Sequence, residues 1–138
     1  MYLTTIIDVF SRVIAGWGFG NSLDAASSLN VVKKAVDEYG NPTILNSDQG
    51  SQFTCKEYID YLKSKGIQIS MDGKGRVLDN VFIERFWRII NYQYIYLVPN
   101  ASGVDLFIGF NKWIEKYHFM AHQGIQRKNQ QIFIKMVA

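Results

Sequence analysis

Two stretches of alternating polarity, followed by helical periods interleaved with short apolar runs, constrain this chain's fold more than any other feature. Tyr2 to Val9 and Val13 to Phe19 alternate as a hairpin about Ser11-Arg12, with Gly16 and Gly18 as weak points in the second strand. Asp24 to Tyr39 has helical spacing: Leu29, Val32, Ala35, Val36 and Tyr39 share one face, Ser22 or Asp24 caps the start, and Gly40 with Pro42 ends it. Thr43 to Ser47 is a strand, Lys56 to Lys65 a short helix stopped by Gly66, and Ile67 to Met71 another strand. A helix from Asp79 to Leu97 follows, its apolar face made by Phe82, Ile83, Phe86, Ile90 and Tyr94. Gly103 to His118 is the last predicted helix, packing through Leu106, Phe107, Phe110, Trp113, Ile114 and Tyr117. This order predicts an α/β domain in which a mixed sheet is covered by helices. With 138 residues and 48% hydrophobic content, the chain suffices for one core, and it shows no repeat, low-complexity segment or interdomain linker.

Two carboxylates stand out within that order. Asp48 closes the strand Thr43 to Ser47, and Gly50 allows a sharp turn just beyond it, a setting that projects a carboxylate from a strand end. Glu84 comes after thirty-five intervening residues. At about 100° per residue, Asn80, Glu84, Arg88 and Asn91 share a polar stripe away from that helix's apolar face. Each carboxylate alone reads as a turn former or a solvated helix residue. Together, one on a strand end and one on a helix, they have the hard oxygen chemistry of a divalent-cation site.

The residues around them resemble a known family. Asn46-Ser47-Asp48-Gln49-Gly50-Ser51-Gln52-Phe53-Thr54, then Gly66-Ile67-Gln68-Ile69-Ser70-Met71, then Leu78-Asp79-Asn80-Val81-Phe82-Ile83-Glu84-Arg85-Phe86-Trp87-Arg88 are similar to the integrase core of bacterial insertion-sequence transposases, relatives of retroviral integrases. Ile6-Ile7-Asp8-Val9-Phe10-Ser11-Arg12 with Gly16-Trp17, and Tyr96-Leu97, extend the likeness over roughly residues 2 to 117. The resemblance implies a ribonuclease-H-like fold and three metal-binding carboxylates, of which Asp48 and Glu84 match the last two. The first aspartate would lie on a strand upstream of Tyr2, so the expectation is a domain truncated at its N-terminus with its first strand missing. Asp8 occupies a separate Ile-Asp-x-x-Ser-Arg position, where its hairpin setting predicts that it orders the turn.

What the resemblance implies chemically is metal-dependent hydrolysis at transposon ends, then attack of the exposed 3′-hydroxyl on target DNA. The implied cofactor is Mg²⁺ or Mn²⁺, two ions in the complete enzyme, and the partners are DNA and further copies of the chain. Asp48 and Glu84 would be ligands, with Asn80 orienting them or meeting phosphate. Two other readings stay open: an inactive remnant that binds nucleic acid or oligomerises, and a ribonuclease-H-like nuclease that cuts without joining.

Charge agrees with a DNA-facing second half. Residues 1–62 carry four bases against seven acids, and residues 63–138 eleven against five. Lys74, Arg76, Arg85 and Arg88 are the candidate phosphate contacts, while Lys63 and Lys65 read equally well as a solvated helix end. Gly73-Lys74-Gly75-Arg76 lacks P-loop spacing and reads as a connector or a backbone-approaching loop. Cys55 has no second cysteine to pair with and reads as a small buried residue opening a helix. No stretch approaches about 18 apolar residues and no secretory signal pattern opens the chain, so the expected location is cytoplasmic, without membrane contact. The tail departs from the family's Tyr-Asn-x-x-Arg-Pro-His segment: Tyr117-His118-Phe119-Met120-Ala121-His122 keeps only the tyrosine and second histidine, and Asn91 stands where lysine is common. His118 and His122 read as packing or surface residues rather than a metal pair.

Overall fold

The alternating N-terminal residues form the predicted hairpin: in a computed structural model, β1 (Tyr2–Asp8) pairs antiparallel with β2 (Ile14–Gly20). The structure describes residues 2–8, 11–47, 49–71, 77–94, 97, 102–121 and 132–137, with only the backbone for 77–83, 119–121 and 132–137. The hairpin turn is tied at several points. Asp8 N–H donates to the Val13 carbonyl at 2.8 Å, Arg12 N–H to the Asp8 carbonyl at 2.8 Å, and Ser11 Oγ to Asp8 Oδ2 at 2.6 Å. Asp8 is buried and orders this turn, as its hairpin position predicts.

The chain continues through α1 (Ala25–Tyr39), β3 (Ile44–Ser47), α2 (Ser51–Thr54), α3 (Lys56–Ser64), β4 (Gln68–Met71), α4 (Val77–Gln93), α5 (Gly103–Ala121) and β5 (Ile132–Val137). All five strands join one sheet in the order β2-β1-β5-β3-β4. β5 runs antiparallel to β1 and parallel to β3, and β3 runs parallel to β4. The tail that departs from the family's pattern therefore supplies the central strand. Among the described residues, β1 and β3 are joined only through it.

Alternation along β1 divides the core. Ile6 joins Leu45 and the apolar faces of α1, α2 and α3, including Val32, Phe53, Tyr58 and Leu62. Leu3 and Ile7 point the other way, onto Phe86 and Ile90 of α4 and Phe110, Trp113 and Ile114 of α5. The glycines of β2 have a packing reason: a Cβ at Gly18 would lie 2.9 Å from Val31 Cγ2, so its absence lets α1 settle closely on the strand. Gly40, at φ 86°, ends α1 in a backbone conformation that side chains rarely adopt.

Of the two candidate caps for α1, Asp24 is the one used. Its Oδ1 accepts from Ser27 N–H at 2.6 Å, while Ser22 Oγ donates to Oδ2 at 2.6 Å. The Ser22 hydroxyl, then the Ser27 amide, hold this carboxyl below the ordinary carboxylate range. A depressed carboxyl stabilises the fold above its unfolded pKa and loses that contribution as pH falls through the folded value. In acid titration followed by circular dichroism, Asp24→Asn should therefore remove part of the loss of helix below about pH 4 while leaving neutral-pH helix content intact.

Several expectations need correction. α4 begins at Val77 and stops at Gln93 rather than running from Asp79 to Leu97; Leu97 N–H closes a tighter turn onto the Tyr94 carbonyl just before Pro99. α5 continues to Ala121, and α2 was not expected. Cys55 is half-buried, with Sγ 3.6 Å from the Gln52 carbonyl. Phe107 packs on Trp17 at 4.9 Å but leaves half its surface exposed. Among the described residues, no helix is long and apolar enough to cross a membrane.

Candidate active site

α4 presents its polar stripe outward, as its periodicity predicts. Phe86, Ile90 and Tyr94 are buried, whereas Glu84, Arg85 and Arg88 are exposed and Asn91 is half-buried. Asn80 lies on the first turn of α4, and only its backbone is described. Asp48, Lys74, Arg76 and His122 fall outside the described residues. β3 reaches Ser47, so the strand that leads to Asp48 is present, flanked on its other side by Gln49 and Gly50.

The face of β1 that α4 covers also carries a buried polar side chain. Thr5 is fully buried on the same side of β1 as Leu3 and Ile7, and its Oγ1 has no hydrogen-bond partner among the described residues. On β3, Asn46 is buried at 5% exposure, and Ser47, on the opposite face with Leu45, at 2%. Buried hydroxyls normally find partners, so a polar occupant suits this region. The strand pattern placed Thr5 in an alternating segment, but nothing in its spacing marks a buried, unsatisfied hydroxyl.

Asp8 is elsewhere. It pairs with Phe133 of β5, which pairs in turn with Leu45, so Asp8 stands level with Leu45, short of the strand end at Ser47. Its carboxylate accepts from Ser11 and belongs to the hairpin turn. His118 is also a packing residue: its Nε2 accepts Ile14 N–H at 2.9 Å and so carries no proton there. Among the described residues no three His, Cys, Asp or Glu side chains gather as a metal-binding group.

A five-stranded mixed sheet with helices on both faces defines a ribonuclease-H-like fold. The chain belongs to the integrase core domain family, whose model matches residues 1–77. It is 31% identical over 139 residues to the transposase for insertion sequence element IS904 of Lactococcus lactis, covering 98% of this chain and 55% of that protein. A putative transposase for insertion sequence element IS150 of Escherichia coli is 31% identical over 86% of this chain and 42% of its own length. The chain thus spans about half the length of the relatives it matches. Among solved structures, the simian T-cell lymphotropic virus intasome has a chain matching at TM-score 0.65 and 16% identity, over 94% of this chain and 45% of that one. The dimeric form of the HTLV-2 integrase catalytic core domain in complex with magnesium matches at TM-score 0.61 and 19% identity, over 94% of this chain and 81% of that one.

Proposed function

We propose that this chain is the part of a DNA transposase that contributes Asp48 and Glu84 to metal-dependent phosphodiester hydrolysis and strand transfer. The observation that supports it is the described end of β3, which runs to Ser47, directly before Asp48 in sequence, with Asn46 buried, while Glu84 stands exposed on α4. A carboxylate at that strand end and Glu84 on α4 offer hard oxygen donors, and the Thr5 hydroxyl provides a further polar group or a seat for a bound water. These residues fit Mg²⁺ or Mn²⁺, with two ions in the complete enzyme. Bound metal supplies Lewis-acid stabilisation of charge on the scissile phosphate.

The chain's own residues then have distinct tasks. Asp48 and Glu84 hold the site from a strand end and a helix, which fixes their separation. Arg88, one helical turn beyond Glu84 and exposed, meets the DNA backbone, joined by Lys74 and Arg76; Asn80, one turn before, orients the glutamate. The reading carries DNA, at transposon ends and target, and further copies of the chain as partners.

A second reading, an inactive remnant that binds nucleic acid or oligomerises, has one observation in its favour. β5 fills the sheet's centre, and Ile132–Val137 contains no carboxylate, so at the level of Thr5 the central strand offers Met136. Slow cleavage by this chain alone is therefore the expected result. In an assay with labelled duplex DNA and Mg²⁺ or Mn²⁺, Glu84→Gln should lower that cleavage at least about tenfold, the lower end of the cost of disturbing a metal site's supporting groups. DNA binding with no cleavage favours the remnant. Cleavage without joined products favours a nuclease, and equal cleavage by Glu84→Gln removes Glu84 from the chemistry.

A further inference from the structure

One cluster of charge is not used by the proposed metal site. Arg12 and Arg85 line a cavity of about 200 Å³ with Ile7, Phe86, Ile89 and Tyr117, between the hairpin turn, α4 and the end of α5. Arg12 reaches it from an unusual backbone. Its φ is 62°, a left-handed conformation that a non-glycine residue adopts only under strain. The turn enforces this conformation through the Asp8 to Val13 and Arg12 to Asp8 bonds, and Val13 N–H adds a 3.3 Å bond to Ser11 Oγ. Strain held this firmly fixes the root of one side chain.

Two like charges share the cavity. Burial first, then the neighbouring Arg85, push the Arg12 guanidinium below the ordinary arginine range, while Tyr117 and Asp8 act the other way. Burial also raises the Tyr117 phenol above its ordinary value, so at neutral pH it keeps its proton and can donate. The Tyr117 ring is held by stacking on Trp113 at 5.3 Å and by an edge contact with Phe86 at 5.9 Å. Two planar guanidiniums and a phenol around a small cavity with apolar walls are the recognition elements of a tetrahedral oxyanion.

We propose that this cavity binds a phosphate group, its oxygens clamped by Arg12 and Arg85 with Tyr117 as hydroxyl donor. Arg85 follows Glu84 on α4, and Arg12 belongs to the hairpin turn at the Asp8 end of β1. The phosphate comes from a DNA backbone or from free phosphate. The binding itself needs no metal and stands apart from the catalytic reading.

Thermal unfolding in EDTA, with inorganic phosphate against chloride at matched ionic strength, tests it. Phosphate should raise the midpoint of the wild-type chain and of Lys112→Gln, which removes an exposed positive charge from α5. Arg85→Gln, also at an exposed position, should lose most of that rise, and Arg12→Lys, which keeps charge without the planar fork, should lose part. No rise in the wild type, or an equal rise in Arg85→Gln, overturns the proposal. An oligonucleotide without terminal phosphates then separates the sources. Competition with inorganic phosphate, weakened about tenfold by Arg85→Gln, assigns the site to the DNA backbone. Failure to compete assigns it to free phosphate.

Discussion

Removing residues 132–138 should leave the chain without a cooperative fold. β5 pairs with β1 at five positions from Thr4 to Asp8 and with β3 at three from Ile44 to Asn46, and among the described residues no other strand joins those two halves. Each lost backbone hydrogen bond forfeits about 0.5 to 1.5 kcal/mol net, and the loss of strand burial adds to it. A domain of this size is stable by only about 5 to 15 kcal/mol, so the combined loss consumes the margin. The deletion would also bare the facing edges of β1 and β3, a template for aggregation. Far-UV circular dichroism and thermal unfolding of the shortened chain read the outcome. A sigmoidal transition within a few degrees of the full chain would mean that the tail is not the sheet's centre.

Phe110→Ala should be the most damaging single substitution in the α4/α5 core. Phe110 is fully buried, and its ring meets Trp17 at 4.9 Å, Phe19 at 5.5 Å, Trp113 at 5.7 Å and Tyr94 at 6.0 Å. Truncating a buried phenylalanine costs about 3 to 5 kcal/mol through lost transfer energy and the cavity left behind. Here four aromatic neighbours cannot all follow into the space, which points to the upper part of that range. A fall of about 15 °C in Tm is expected. Phe107→Ala, one turn earlier and half-exposed, is the comparison and should cost far less.

Local periodicity made much of this fold legible. The hairpin, α1 and the β3 to β4 unit depend on neighbours in sequence, and their residues carry the period of the element they form. β5 does not: Ile132-Phe133-Ile134 is too short a run, beside Lys135, to announce a strand, and its place is decided by two distant edges that need a partner. In the candidate site, the separate role of Asp8 was readable from its place beside a turn. The Thr5 hydroxyl, without a partner among the described residues, was not, because alternation tells which face a residue takes and not whether its oxygen finds a donor there. The conformation of Arg12 was hidden for a related reason. An arginine at positive φ is chosen by the bonds of the whole turn and not by its own preference.

The central claim is that Asp48 and Glu84 hold one divalent cation together, and Mn²⁺ titration of the wild type, Asp48→Asn, Glu84→Gln and the double variant tests it most directly. Free Mn²⁺, followed by electron paramagnetic resonance, gives the affinity of each without requiring DNA or turnover. Two ligands of one ion act as a unit, so their effects do not add. The expected result is a loss of at least about tenfold in affinity in each single variant, with the double variant little worse than either. Wild-type affinity in Glu84→Gln, or independent losses that sum in the double variant, would contradict a shared site.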